Sequence, residues 1–459
     1  MSLKKYVYIS SFLFISILNT EIIIPFKSTL SDIPKNLSSL DFFISLISNE
    51  LYTNIQLGTP SQSLDLLLDF NSYHTYIIDE SNSLNNKIFY HNKSSTFKNI
   101  GEKEFFQDLD FFSAISSTDL ITINENVTNL NYTFLQVLKM NNKKNYPGTI
   151  GMSVVSNGQP FHHEIGLIYQ LKQNNIINNY NYTLVYNKND FNGKIIIGKN
   201  IYEKYSLDYL IKDYCIITYD YTYYWGWNYI NSFYGSKSLN IKNIYLKPEL
   251  GVIIVNSKIE DILKKEFFDK KIKEGKCYKD FNMYSFFYCD NDVKIDVDTF
   301  YFQITKNGPQ TFFLNSNDLT MEYNNKIYFL MVFKTNLQPE EAYFGYPFFK
   351  KFDVIFNQDT RNVGFYNVKI DESSANESTD YNYNKKEENN KNEKENVNDS
   401  HNDNIKNYDV KKIIIKILLA IFIILCILFF IYLSFYIYRK IKRKSNEKLY
   451  EEFKNISDN

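Results

Sequence analysis

Two short runs near the start of the chain constrain its fold more than any other feature. Tyr52-Thr53-Asn54-Ile55-Gln56-Leu57 leads through Gly58-Thr59-Pro60 into Leu64-Asp65-Leu66-Leu67-Leu68-Asp69. Alternating and continuous apolar runs of this length, separated by Gly and Pro, predict two strands joined by a turn. The second strand ends in an acid, Asp69, followed by Phe70-Asn71-Ser72. The same rhythm continues from about Leu51 to Val368, in runs such as Lys194-Ile195-Ile196-Ile197-Gly198. The 39 Tyr and 38 Phe suit strands as well. The expectation is a mainly β fold. Helical periodicity is confined to Ser257–Lys273, with Ser257-Lys258-Ile259-Glu260 as its capping box, and to Ile165–Asn174.

The 459 residues allow two packed lobes with extensions. A net charge of -1 gives no field that would gather nucleic acid. Lys4 and Lys5 before an apolar stretch predict a secretory signal peptide over 1–20. Ile417–Tyr438 carries no charge, and at ~1.5 Å per residue it spans ~33 Å, enough for a bilayer core. With a transmembrane segment placed at 412–438, the basic run Arg439–Lys444 that follows it predicts a cytoplasmic tail over 439–459. The expected protein is single-pass type I, in the secretory pathway or at the cell surface. Residues 370–411 turn to Glu, Lys, Asn, Ser and Asp and predict a disordered polar linker. Cys277 and Cys289 are close in sequence within the lumenal part, so a disulfide between them is expected. No Cys/His spacing suggests a metal, and no cofactor is implied.

In order along the chain, several fragments resemble the pepsin-like aspartic proteases. The hairpin above is similar to that family's first active-site hairpin. Phe89–Phe97, Asp119–Ile123, Pro147–Met152 and Asn192–Gly198 resemble successive family motifs, and Tyr343–Phe349, Phe352–Phe356 and Arg361–Phe365 resemble its closing segment. The resemblance implies a bilobal fold with a substrate cleft, a first lobe over 48–208 and a second over 209–369. Residues 21–47 would then form a short pro-like N-terminal segment, in which Ile22–Lys27 faintly resembles a family propeptide strand. Each lobe of the family supplies one Asp to a shared pair. Two carboxylates at about 3 Å do not both ionise readily, so one activates water while the other polarises the scissile carbonyl.

On this resemblance Asp69 stands at the first position, with Phe70 and Asn71 in place of the family's Thr and Gly, and Ser72 matching. The second position is expected at Val255, at the end of Val252–Val255, followed by Asn256 and Ser257. Valine carries no proton. The flap Tyr position falls at Gln107, within a stretch lacking Gly and Tyr. The leading expectation is a membrane-anchored pseudoprotease that binds peptide or protein in its cleft. One alternative is an active endopeptidase working through a variant site around Asp69. Another is a surface structural or adhesion protein on a protease scaffold.

Overall fold

The computed structural model describes residues 21–366, apart from 81–87, 106–110, 141–143, 154–165, 188–189, 199–209, 215–216, 220–221, 282, 305–309 and 359. The expected signal peptide, linker, membrane segment and tail, and the flap residue Gln107, lie outside the described residues. Among the described residues no helix is long and apolar enough to cross a membrane.

Strands dominate, as the period of the apolar runs predicts. The first half of the chain forms β1 (Ile22–Ser28), β2 (Leu51–Leu57), β3 (Gln62–Asp69), β4 (Tyr76–Ile78), β5 (Lys98–Phe105), β6 (Phe111–Thr122), β7 (Leu130–Met140), β8 (Gly148–Gly151), β9 (Asn181–Tyr186) and β10 (Gly193–Ile197). After it come β11 (Leu210–Tyr214), β12 (Ile217–Tyr219), β13 (Thr222–Tyr224), β14 (Gly226–Trp227), β15 (Ile230–Tyr234), β16 (Lys237–Leu239), β17 (Asn243–Leu246) and β18 (Ile253–Asn256). The remainder are β19 (Cys277–Phe281), β20 (Ser285–Asp290), β21 (Phe300–Ile304), β22 (Gln310–Leu314), β23 (Thr320–Tyr323), β24 (Lys326–Phe329), β25 (Met331–Lys334), β26 (Glu341–Phe344), β27 (Val354–Asn357) and β28 (Asn362–Tyr366).

The two lobes meet in one ladder. A 13-stranded sheet runs β11-β28-β27-β9-β10-β1-β2-β3-β8-β4-β7-β6-β5, so β27 from the chain's end pairs with β9 from the first lobe. A nine-stranded sheet, β14-β17-β26-β18-β25-β20-β24-β23 with β19 on β20, builds the second lobe, beside a small sheet β16-β15-β21-β22. The aromatic richness goes into the core. Trp225 and Trp227 are buried, with Trp227 edge-on to Phe348 and Phe365.

The lobes repeat one local pattern. Strand β3 lies parallel to β8, Asp69 opposite Gly151, while β4 returns antiparallel on the other side of β8 and parallel to β7. In the second lobe β17 lies parallel to β26, and β18 returns antiparallel to β26 and parallel to β25. Leu246 pairs with Phe344, which brings Lys247 to Gly345 as Asp69 is brought to Gly151.

The helix expected at Ser257–Lys273 is present as Ser257–Leu263 and Asp269–Lys273 around a π-helical turn. Its cap is Asn256, whose side chain accepts from the Lys258 N–H, one residue ahead of the expected capping box. The second expected helix spans Leu167–Gln173. Cys277 and Cys289, paired across β19 and β20, are bonded to each other.

Gly151 and Gly345 leave no room for a side chain. A Cβ on the first would overlap the backbone of Tyr73 and His74, and one on the second the carbonyls of Leu250 and Val252. Both contacts are with backbone, which has little freedom to move aside. Gly345→Ala should therefore cost about 2 kcal/mol or more. Urea denaturation would show it as a lowered midpoint at unchanged slope.

Candidate functional site

The first tip is tightly made. Asp69 Oδ1 accepts from the N–H of Asn71 at 2.8 Å and of Ser72 at 3.2 Å. Its carbonyl accepts from the Met152 N–H at 2.8 Å, fastening the tip to the residue after β8. Backbone donors favour the charged carboxylate. Phe70, the residue beyond the acid, is buried with its ring 6.5 Å from that of Phe356. Asn71 still presents its N–H to the carboxylate, so replacing the family's Gly does not remove that contact.

The second tip is not where the sequence motif placed it. Val255 is buried within β18, opposite Ala342 and Phe333. Its counterpart in the first lobe is Ile77 on β4, opposite Gly148 and Gln136. Val255 thus belongs to the strand after the tip. Asn256 and Ser257 accordingly begin a helix rather than cradle an acid. The register equivalent of Asp69 is Lys247, at the end of β17. Asn71 and Glu249 are likewise equivalent, 178 residues apart. The run Lys247-Pro248-Glu249 answers Asp69-Phe70-Asn71.

These residues close the seam between the lobes. Lys247 Nζ donates to Asn71 Oδ1 and lies 4.5 Å from the centre of the Tyr224 ring. Asn71 Nδ2 donates in turn to Glu249 Oε1 at 3.2 Å. Glu249 Oε2 is buried and has no hydrogen-bond partner among the described residues. The Pro248 carbonyl accepts from the Tyr186 hydroxyl at 2.7 Å. Neither Phe70 nor Pro248 has a hydroxyl, so one amide side chain bridges the tips.

Burial pulls the Lys247 ammonium below the ordinary lysine range, while Glu249 and then Asp69 push it back up. Burial likewise raises the Glu249 carboxyl above its usual value, against the pull of Lys247. Two carboxylates and one ammonium therefore share the floor where the family places two carboxyl groups.

Two parallel strand pairs, each ending in a tip residue, repeat across the lobes, and the sequence comparison supplies the kinship. A family model described as eukaryotic aspartyl protease matches residues 50–368. The chain belongs to that family. No curated protein matches it. Within this aspartyl protease homologue the neighbouring acid Glu260 serves another purpose. It is buried, accepts from the Ser285 hydroxyl at 2.5 Å and pairs with Lys279. Among the described residues no group of His, Cys, Asp and Glu is placed to hold a metal ion.

A signal for Lys247 did exist in the sequence. In the first lobe the tip lies between two apolar runs, Leu64–Leu68 and Tyr76–Ile78. The matching pair in the second is Ile244–Leu246 and Val252–Val255, with Lys247-Pro248-Glu249 between them. Choosing the later run displaced the tip onto the following strand.

The titration of Glu249 carries a sign that can be measured. Because its carboxyl is raised in the folded state, the native protein holds that proton more tightly than the unfolded chain does. Stability from this group is greatest at low pH and declines as pH rises through the raised value. Lys247→Met removes the main opposing charge and raises Glu249 further. The urea midpoint of that variant should fall more steeply than wild type as pH rises above the ordinary carboxyl range. Parallel profiles would show that Lys247 does not compensate Glu249.

Proposed function

We propose that this protein is a catalytically impaired aspartyl protease homologue, anchored in a membrane by 412–438, whose cleft binds an extended peptide or protein segment. The observation that carries the reading is Lys247 at the register position of the second Asp. Pepsin-type hydrolysis needs one carboxylate to take a proton from water and one carboxylic acid to polarise the carbonyl. Lys247 brings an ammonium to that position, and the further carboxyl at the seam, Glu249, is turned to the Asn71 amide, so the two register positions hold no carboxyl pair. The Lys247 Nζ is engaged by Asn71 and the Tyr224 ring. General acid–base help is worth ~10²–10⁴ in rate, and that much should be missing here.

Binding does not need the lost chemistry. An extended segment in a groove lined by strands can be held by main-chain hydrogen bonds, with side-chain pockets giving selectivity. The second reading, an endopeptidase with a variant site, draws on one observation: Asp69 and Lys247 interact electrostatically across the seam. That reading takes a carboxylate base beside an ammonium electrophile as its hydrolytic couple, and one experiment separates the two.

The full-length protein is incubated with a diverse peptide pool from about pH 3 to 7, a range that covers carboxyl titration, and products are followed by mass spectrometry. The expected result is no cleavage above background, an unchanged background in Asp69→Ala, and saturable retention of some peptides. Cleavage that disappears in Asp69→Ala would overturn the impaired-enzyme reading in favour of the variant site.

A further inference from the structure

Residues 21–49 precede the region matched to the family, yet they are built into the folded core. Strand β1 lies between β10 and β2, paired from Ile22 to Phe26 with the first and at Lys27 and Ser28 with the second. Ile22, Ile24 and Phe26 are buried. Helix α1 (Ser39–Ile47) then crosses to the second lobe. Its Phe42 stacks on Tyr323 at 4.0 Å, and Phe43 packs against Phe286.

Three contacts from this segment converge on the tip that carries Lys247. Phe26 packs edge-on against Tyr186, whose hydroxyl donates to the Pro248 carbonyl. Asn49, buried, donates through Nδ2 to the Glu249 carbonyl at 2.8 Å. The Leu46 carbonyl accepts from the Gly251 N–H at 2.8 Å. Asn49 is itself oriented by the hydroxyls of Ser28 and Thr29, which donate to its Oδ1 at 2.6 and 3.0 Å.

We propose that residues 21–49 are a permanent strap, retained in the working protein, with Asn49 as the positioning residue that holds the tip Lys247–Gly251 in place. Departure of the segment would leave the facing edges of β10 and β2 unpaired and uncover the aromatic face beneath α1. It would also release backbone groups of Glu249 and Gly251 and strip Phe26 from the Tyr186 ring, whose hydroxyl holds the Pro248 carbonyl. A strap of this kind sets the position of Lys247 from outside its own lobe. The inference does not depend on whether the cleft hydrolyses peptides.

Two measurements on the full-length chain test it. In the first, a site-specific protease sequence is inserted between the exposed Lys35 and Asn36 and cut under native conditions. The expected result is that the severed β1 piece stays bound through gel filtration, or that its loss abolishes amide protection at Gly251. A piece that leaves while the remainder keeps both its melting midpoint and Gly251 protection overturns the proposal. In the second, Asn49→Asp keeps the acceptor for Ser28 and Thr29 but removes the donor to Glu249. Amide exchange at Gly251 should then quicken about fivefold or more, with the β3–β8 amides unchanged. Exchange that rises equally everywhere, or not at all, rejects Asn49 as a positioning residue.

Discussion

Two parallel strand pairs govern this molecule. Where β3 runs beside β8, and β17 beside β26, the chain must turn out of the sheet at a fixed point, and whichever residue stands there is delivered to the seam between the lobes. Backbone hydrogen bonding imposes that delivery regardless of the side chain. In one lobe it delivers a carboxylate, in the other an ammonium. The glycines opposite the tips, Gly151 and Gly345, are demanded by the same crossing, because the returning chain passes against their α-carbons. The framework has kept the requirements of its backbone while the chemistry carried at the tips has changed.

The substitution is compensated by its neighbours. A lone buried ammonium would be costly. Lys247 is instead surrounded by the Asn71 amide oxygen, a tyrosine face and two carboxylates. Asn71 turns its other end to Glu249, so one neutral side chain serves both charges. These partners satisfy one another across the seam.

The first lobe was legible in the sequence because its signals are local. The turn Gly58-Thr59-Pro60, the alternation in β2 and the acid ending β3 all lie within about twenty residues, and each reads on its own. The helix after Asn256 was legible for the same reason, since its apolar stripe repeats with helical period. The second tip was not. Ile244–Leu246 is a brief apolar run, and Pro248 breaks the motif, whereas Val252–Val255 is longer and leads directly into a helix cap. Local pattern favoured the stronger strand, and only the pairing of β18 with β26 and β25 shows that it follows the tip. The strap was half legible. The strand character of Ile22–Lys27 could be read, but the reach of Asn49 to Glu249 joins residues 200 apart in the chain.

The choice of an amide at position 71 has a consequence at low pH. Asn71 has no dissociable proton in the accessible range, so acid does not change its own charge. Acidification neutralises Glu249, whose carboxyl burial raises, and leaves the lysine still hooked to the amide oxygen. The joint is therefore lopsided in its chemistry: one strand of the knot answers to protons, and the other is deaf to them.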